Sequence, residues 1–198
     1  RLLRHLRQEL QRQLLHSLTR DEALIMPMRA TINLNLPAAL WTAQQSAALA
    51  SNVVASIKMR TSEGLDTNDK PFKPYSKKPI YIPFKGARLK PKGGRVSRTG
   101  RSMFFAGGYH EYKVKSRRHG AGSSALVDLV ASGILMNNLV VLHADARRFV
   151  IGLTPEVRYY GYAVNQDRPY LGLSPRQVDI VVKAVELDLI NNFQGGRR

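Results

Sequence analysis

Tyr162-Ala163-Val164-Asn165-Gln166-Asp167-Arg168-Pro169-Tyr170-Leu171-Gly172-Leu173-Ser174 is the stretch that decides how this chain is expected to fold. It opens with polar residues, turns at Arg168-Pro169 and continues into an apolar run. Ser174-Pro175-Arg176-Gln177 follows, which is a capping box with proline at the first helical position. The stretch therefore predicts a hinge between the body of the protein and a C-terminal helix.

Length, charge and cysteine content limit the classes of protein that fit. The chain has 198 residues, 43% of them hydrophobic, which is typical of a single domain. Its 31 Lys and Arg against 14 Asp and Glu give a formal charge of +17, which favours a polyanion or an acidic protein surface as neighbour. The absence of cysteine excludes disulfides and thiolate metal sites. No apolar run approaches the roughly 20 residues of a membrane helix, and no signal-peptide pattern is present. We therefore expect a soluble intracellular protein without a membrane partner.

Apolar residues at steps of three and four predict the helices. The predicted helices are residues 1–20, 38–60, a short helix within 125–138, a turn of helix over 154–162, and 175–192. In the second of these, Trp41, Leu49, Val53 and Ile57 recur at multiples of four and can share one side. We expect Trp41 to be a core anchor.

Alternation with period two predicts the strands, which are residues 31–36, 139–143 and 147–153. The last two are joined by Ala144-Asp145-Ala146 and form a hairpin candidate. Tyr109 to Lys115 also alternates. These elements predict an α+β fold with helices packed on a small antiparallel sheet. The single domain 1–198 divides into the consecutive regions 1–37, 38–69, 70–124 and 125–198.

Most of the net charge lies between Lys70 and Arg118. This segment has 15 Lys and Arg and one acid, Glu111, which gives a net charge of +14. Prolines disfavour helix near its start, and glycines interrupt the remainder. The segment is therefore predicted to be a long extended basic arm or hairpin within region 70–124. In the alternative interpretation its start is a rigid connector, whose Phe72 and Tyr75 pack against the body.

No pattern of catalytic, cofactor-binding or metal-ligating residues is recognisable. The five histidines are scattered, and none is paired as in a metalloprotease helix. Ser174 lacks the second glycine of a nucleophile elbow and lies at a helix cap. A calcium loop that began at Asp66 would have Lys77 where the bidentate glutamate is needed, so a polar turn is favoured. We expect no enzyme activity, no cofactor and no metal.

Three blocks of sequence together resemble the virion-morphogenesis proteins of tailed bacteriophages, which complete the tail or join it to the head. The first comprises Gly64-Leu65-Asp66 and residues 70–76, which read Lys-Pro-Phe-Lys-Pro-Tyr-Ser. The second is Asp128-Leu129-Val130-Ala131-Ser132-Gly133-Ile134-Leu135-Met136-Asn137-Asn138-Leu139. The third is residues 162–166 with Arg168-Pro169-Tyr170-Leu171-Gly172-Leu173-Ser174. Asn165 departs from the pattern, because the family often has histidine there, and residues 77–124 resemble a long insertion.

The resemblance implies a structural protein with an α+β fold that assembles into a ring, commonly hexameric, at the neck of the virion. It implies assembly in the host cytoplasm and contact with other neck, connector and tail-tube proteins. A head-to-tail ring needs two different faces on each subunit, and an extended arm that orders on a neighbour suits that task. The residues expected to contact neighbours are Phe72, Tyr75, Tyr81, Phe84, Arg168, Tyr170 and Leu171.

A basic nucleic-acid-binding module is the alternative hypothesis. A net charge of +14 with interleaved tyrosine and phenylalanine is what a protein that binds a polyphosphate would show. The aromatic residues lie among prolines and glycines, however, and no stacking sheet is recognisable in the sequence. The two hypotheses overlap, since genomic DNA crosses the neck and could touch a basic lumen.

Overall fold

The computed structural model describes residues 8, 29–34, 36, 41–87, 89–117, 127–130 and 132–195, and it confirms the α+β class. Within these residues the helices are α1 (Ala43–Ser62), α2 (Gly108–Ser116), α3 (Ile134–Asn137), α4 (Pro155–Asp167) and α5 (Pro175–Gly195). The strands are β1 (Arg29–Asn33), β2 (Ile80–Pro83), β3 (Arg95–Val96), β4 (Ser102–Phe105), β5 (Leu139–Ala144) and β6 (Arg148–Leu153). Apart from Gln8, the predicted N-terminal helix lies outside the described residues, as do the Gly-Ser join at 120–124 and the tail 196–198.

The first sheet is antiparallel, with strand order β1-β6-β5. Alternation along β6 places Phe149, Ile151 and Leu153 on one face, and Ile32 of β1 pairs with Phe149 on the same face. All four side chains are fully buried, and α1 contacts both β5 and β6. The predicted hairpin of β5 and β6 is therefore confirmed, and its inner face forms the core of the fold.

Helix α1 begins later than the periodicity predicted. Thr42 and Gln45 form a capping box, in which the Gln45 amide N donates to Thr42 Oγ1 at 3.2 Å. Trp41 therefore precedes the helix instead of belonging to it. The prediction that Trp41 anchors the core is confirmed, because its side chain is buried and its Nε1 donates to Ser46 Oγ at 2.7 Å.

Helix α5 confirms the capping box and the apolar face read from the sequence. The Ser174 amide N donates to Gln177 Oε1 at 3.0 Å, and the Gln177 amide N donates to Ser174 Oγ at 3.4 Å. The apolar residues that recur at helical spacing along α5 are all buried; they are Val178, Val181, Val182, Val185 and Leu189. Contacts between α5 and α1 follow from this face.

The predicted hinge before α5 is wrong, because the loop between α4 and α5 is held by buried hydrogen bonds. Asn165 Oδ1 accepts hydrogen bonds from the backbone N–H of Tyr170 at 2.9 Å and of Leu171 at 3.0 Å. Arg60 of α1 donates to the carbonyl oxygens of Tyr170, at 2.5 Å, and Gly172, at 2.8 Å. Helix α4 also continues to Asp167, beyond the predicted turn of helix. The loop is therefore a rigid connection.

The basic segment forms a second antiparallel sheet with strand order β2-β4-β3, here called the small sheet, followed by α2. Of the two predicted forms, the hairpin is present as β3 and β4, whereas an arm that orders only on a neighbour is wrong for the described residues. The physical reason is that the segment has its own buried residues: Phe72 enters the main core, and the rings of Phe105 and Tyr112 pack 5.4 Å apart.

The alternating residues after β4 form a helix, which corrects the strand-like interpretation of that stretch. Gly108 begins α2 with a φ of +69°, and a Cβ there would lie 2.4 Å from the Lys78 carbonyl oxygen, so only glycine fits. Tyr109, Tyr112 and Ser116 then recur at helical spacing on the inward side. The helical spacing of the inward residues, and not their alternation with period two, therefore determines the structure of this stretch.

The short helix predicted within 125–138 is reduced to α3. Gly133 has a left-handed φ of +82° and Leu129 has a φ of +53°, which interrupts helical backbone. The Asp128 carboxylate accepts a hydrogen bond from the Val130 amide N at 3.0 Å, so the side chain stabilises a turn that competes with helix. Leu129 is buried as predicted, whereas Ile134 is exposed.

Close packing of α4 on β6 leads to the first testable prediction. A Cβ at Gly161 would lie 1.9 Å from Leu153 Cδ1 and 2.9 Å from Tyr170 Oη. We expect Gly161→Ala to lower the free energy of unfolding by about 1–3 kcal/mol through overpacking. Urea unfolding followed by the fluorescence of Trp41, the single tryptophan, measures it. Gln166→Ala, at an exposed position of the same helix, is the control, and an unchanged midpoint for the glycine variant would contradict the packing.

Candidate functional site

Segments that are distant in sequence meet at one place, which we call the junction and define by Tyr75, Lys113, Asp128 and Arg168. Arg168 follows α4, and its Nε donates to the Lys73 carbonyl oxygen at 3.0 Å. Its guanidinium also lies 5.0 Å from the centre of the Tyr75 ring, a cation–π distance. The end of α4 is therefore tied to the extended segment that follows α1.

A buried cluster of charges forms the other half of the junction. The Lys113 ammonium of α2 donates to Asp128 Oδ1 at 2.8 Å and to the Tyr75 hydroxyl oxygen at 2.5 Å. Arg117 Nη2 donates to Asp128 Oδ2 at 2.6 Å and also to the Val130 carbonyl oxygen. One carboxylate thus joins α2 to the loop before α3.

The pKa values of both principal partners in this cluster are lowered, but for different reasons. Burial lowers the pKa of Lys113 to about 8, and hydrogen bonding to Asp128 offsets only part of that loss. Burial would raise the pKa of Asp128, but hydrogen bonds from Lys113 and Arg117 outweigh it, so this pKa lies below its ordinary value of 3.8. The carboxylate has two cationic partners and the ammonium one anionic partner, which accounts for the difference. Both groups are charged at neutral pH.

Two cavities adjoin the junction and share a wall. The shared wall consists of Tyr109, Leu129 and Tyr160. The apolar cavity, of about 310 Å³, lies between the small sheet and α3 and is lined by Ile82 and Leu135. The more polar one, of about 380 Å³, is lined by Lys113 and Arg168. Burial raises the pKa of Tyr109 to about 12. Its phenol and the Lys113 ammonium are therefore protonated at neutral pH and act as hydrogen-bond donors.

The structure divides the seven residues expected at an interface into three groups. Phe72 and Tyr170 are buried in the core, so neither is available as a surface anchor of this chain. Tyr75, Arg168 and Leu171 are half-buried, the first two at the junction and the third in the loop before α5. Tyr81 and Phe84 are exposed, with 57% and 37% of their surface accessible. For Phe72 the alternative interpretation, packing against the body, describes its position.

The small sheet has a solvent-facing row of side chains that sequence reasoning missed. Tyr81, Phe104 and Arg95 are direct neighbours across β2, β4 and β3. The rings of Tyr81 and Phe104 have centroids 4.9 Å apart, and the Arg95 guanidinium lies 5.4 Å from the centre of the Phe104 ring. The alternation Ile-Tyr-Ile between two prolines at 79–83 was the available signal for a strand there.

Neither a metal-binding cluster nor a membrane-spanning helix is present among the described residues. Among them, no group of three or more His, Asp or Glu side chains could hold a metal ion. No helix within the described ranges is long and apolar enough to cross a membrane. His143 Nε2 lies 2.9 Å from Asp145 Oδ2 in the turn between β5 and β6, where backbone hydrogen bonds and His143 lower the pKa of Asp145 to about 2.

The fold and the site define an α+β protein in which a basic small sheet is attached to the body through the junction. Comparisons with protein-family models, with curated proteins and with solved structures give no significant match to this chain. The function is therefore argued from the residues and their geometry.

Proposed function

We propose that this chain is a structural subunit of the neck of a tailed bacteriophage, which completes the tail or joins it to the head as part of an oligomeric ring. The proposal rests on the sequence resemblance described above. It includes no catalytic step and no cofactor, and it places the working protein in the virion, with other neck, connector and tail-tube proteins as its neighbours.

The observation that carries the proposal is the meeting of the three resembling blocks at the junction. Arg168 of the third block donates to the backbone carbonyl oxygens of Lys73 and Pro74 in the first block. Tyr75 of the first block and Asp128 of the second share the Lys113 ammonium. Short motifs that match by chance have no reason to lie together in the fold. Their convergence therefore supports the resemblance of all three blocks to one protein family.

Exposed apolar side chains on separate elements supply the two different faces that a head-to-tail ring needs. Ile180 and Leu187 lie seven residues apart on α5, so they point to the same side, and they are 56% and 62% exposed. Tyr81 and Phe84 lie on and beside the small sheet. Large exposed apolar side chains in such groups are typical of surfaces that bind other proteins. The lysines and arginines around the small sheet would steer an acidic neighbouring subunit toward that face.

Light scattering coupled to size-exclusion chromatography tests the proposal. We expect the full chain to form species of several subunits, alone or with tail-tube and connector proteins, and ring-shaped particles in electron micrographs. We expect Leu187→Glu to shift the distribution to single subunits, because a carboxylate would be buried without a partner in the contact. Ser51→Glu, which adds the same charge at an exposed position of α1, should leave the mass unchanged.

The outcome that would contradict the proposal is equally direct. A single-subunit mass for the unmodified chain at every concentration, both alone and with the neck partners, would be incompatible with a ring-forming subunit.

A further inference from the structure

The row formed by Tyr81, Phe104 and Arg95 lies on the face of the small sheet that the fold does not bury. The opposite face carries Phe105, which is fully buried and packs edge-on against Tyr112 of α2. Strand residues alternate between the two faces, so Phe104 and its cross-strand neighbours are directed away from α2. Tyr81 is 57% exposed although it belongs to the central register of β2. Among the described residues, the row therefore faces solvent, with Tyr81 and Arg95 exposed and Phe104 half-buried.

Cationic side chains lie at both ends of the strands that carry this row. Lys77 and Lys78 precede β2, while Arg98 and Arg101 belong to the turn that joins β3 to β4, and all four are exposed. The segment has a single acidic residue, Glu111, and its carboxylate already accepts hydrogen bonds from Lys115 at 2.5 Å and from the Gly107 amide N at 2.6 Å. The row consequently lies in a positive field with no free carboxylate of its own segment to balance it.

The side chains of the row favour one class of negatively charged partner over the others. The exposed ring of Tyr81 and the half-buried ring of Phe104 can stack on flat or apolar groups, while the flanking lysines and arginines attract negative charge. A single-stranded nucleic acid supplies both, because its unstacked bases can lie on aromatic rings while its phosphates meet the cations. Duplex DNA offers the phosphates but keeps its bases stacked inside. An acidic protein surface offers carboxylates but no regular series of flat groups.

We infer that the outward face of the small sheet binds single-stranded nucleic acid, with bases stacked on Tyr81 and Phe104 and the phosphate backbone along Arg95 and the basic residues at the two ends of the strands. This site goes beyond the proposed neck function, and it exists in the single chain whether or not the chain assembles into a ring. Both proposals use Tyr81, so a neighbouring subunit and a nucleic acid would compete for it in an assembled ring. The two tests remain distinguishable, because the ring is tested through Leu187 of α5 and this site through Tyr81.

Fluorescence anisotropy of a labelled thymidine oligonucleotide of about 15 nucleotides, titrated with the full chain, tests the site. We expect Tyr81→Ala to weaken binding by about tenfold, in line with the loss of one stacked base. Tyr81→Phe should retain the affinity, since it keeps a flat ring. The matched control is Tyr159→Ala, which removes a tyrosine that is 75% exposed on α4, away from the row, and should change nothing. Unchanged Trp41 fluorescence shows that each variant is folded.

The dependence on salt separates stacking from charge. Tyr81→Ala should leave the slope of log affinity against log salt concentration unchanged, whereas Arg95→Gln should reduce it by about 0.7, the value for one phosphate contact on a single strand. The inference is overturned if Tyr81→Ala binds the oligonucleotide as tightly as the parent chain does. It is also overturned if a duplex of the same length, or polyglutamate, competes as well as the unlabelled single strand.

Discussion

Replacement of Arg60 by alanine is expected to lower the free energy of unfolding by about 3–5 kcal/mol, because up to three buried acceptors lose a donor at a cost of about 1–3 kcal/mol each. The acceptors are the carbonyl oxygens of Tyr170 and Gly172 and the side-chain oxygen of Gln177. Arg60 extends from α1 into the loop before α5, so the substitution also leaves a cavity in a fully buried place.

The substitution also has a stabilising effect, which is smaller than the loss of these hydrogen bonds. Burial lowers the pKa of Arg60 to about 10, with partial compensation from Asp69 and Asp66, so the buried guanidinium has its own cost. Alanine removes the cost of burying the guanidinium. It also leaves three acceptors without their donor, and two of these are backbone carbonyl oxygens that stay in place whatever the side chain. Arg176→Ala, at an exposed position of α5, is the control and should change stability by less than about 0.5 kcal/mol. Equal urea midpoints for the two variants would show that Arg60 does not stabilise the contact between α1 and the loop before α5.

Replacement of Asp128 by asparagine is expected to be comparably severe, at about 3–5 kcal/mol, because it leaves a buried ammonium without its counter-charge. The substitution keeps the size of the side chain, removes the charge and replaces one acceptor oxygen with an NH2 donor that faces a cation. Lys113 is almost fully buried, and the nearby guanidinium groups of Arg117 and Arg168 already disfavour its charged form. Urea unfolding at neutral pH measures the loss. Asp188→Asn, at an exposed position of α5, is the matched control.

The pH dependence of this second effect has a definite sign. The pKa of Asp128 is lower in the folded protein than its ordinary value of 3.8, so the stabilisation is fully present above pH 3.8. It is lost as the pH falls through the lowered value of the folded state. The difference in stability between the parent chain and Asp128→Asn should therefore shrink on acidification below pH 3.8. A difference that stays constant down to the acid transition would contradict a charge-based role.

The elements predicted well from the sequence are those stabilised by local interactions. Helix α5 has its capping residues Ser174 and Gln177 three positions apart and its buried valines at helical spacing, so each determinant is visible in a short window. The hairpin of β5 and β6 likewise needs only two alternating runs and a short turn. The turn at Asp66 follows the same principle, since its carboxylate accepts hydrogen bonds from the next few backbone N–H groups.

The residues that sequence reasoning misplaced depend on contacts far apart in the chain. The sequence predicts that Tyr170 lies at an interface, but its carbonyl oxygen accepts a hydrogen bond from Arg60, 110 residues earlier. The pairing of Tyr81 with Phe104 requires the register between β2 and β4, which neither strand shows by itself. Helix α2 depends on the positive φ of Gly108, whose space is set by the carbonyl oxygens of Ser76 and Lys78. Composition alone could indicate a basic segment with aromatic residues, but not which of those residues would be surface.

The shared ammonium of Lys113 has a consequence for how this protein can diversify. Tyr75, where the chain leaves the body, and Asp128, where it returns, are bound to the same atom, so the two ends of the intervening region are held side by side. Because closure entropy grows only slowly with loop length, the parts of that region other than Lys113 can lengthen, shorten or change their surface residues with little strain on the rest. Relatives of this chain would accordingly keep the paired ends and vary in what lies between them, which allows one scaffold to acquire new binding partners.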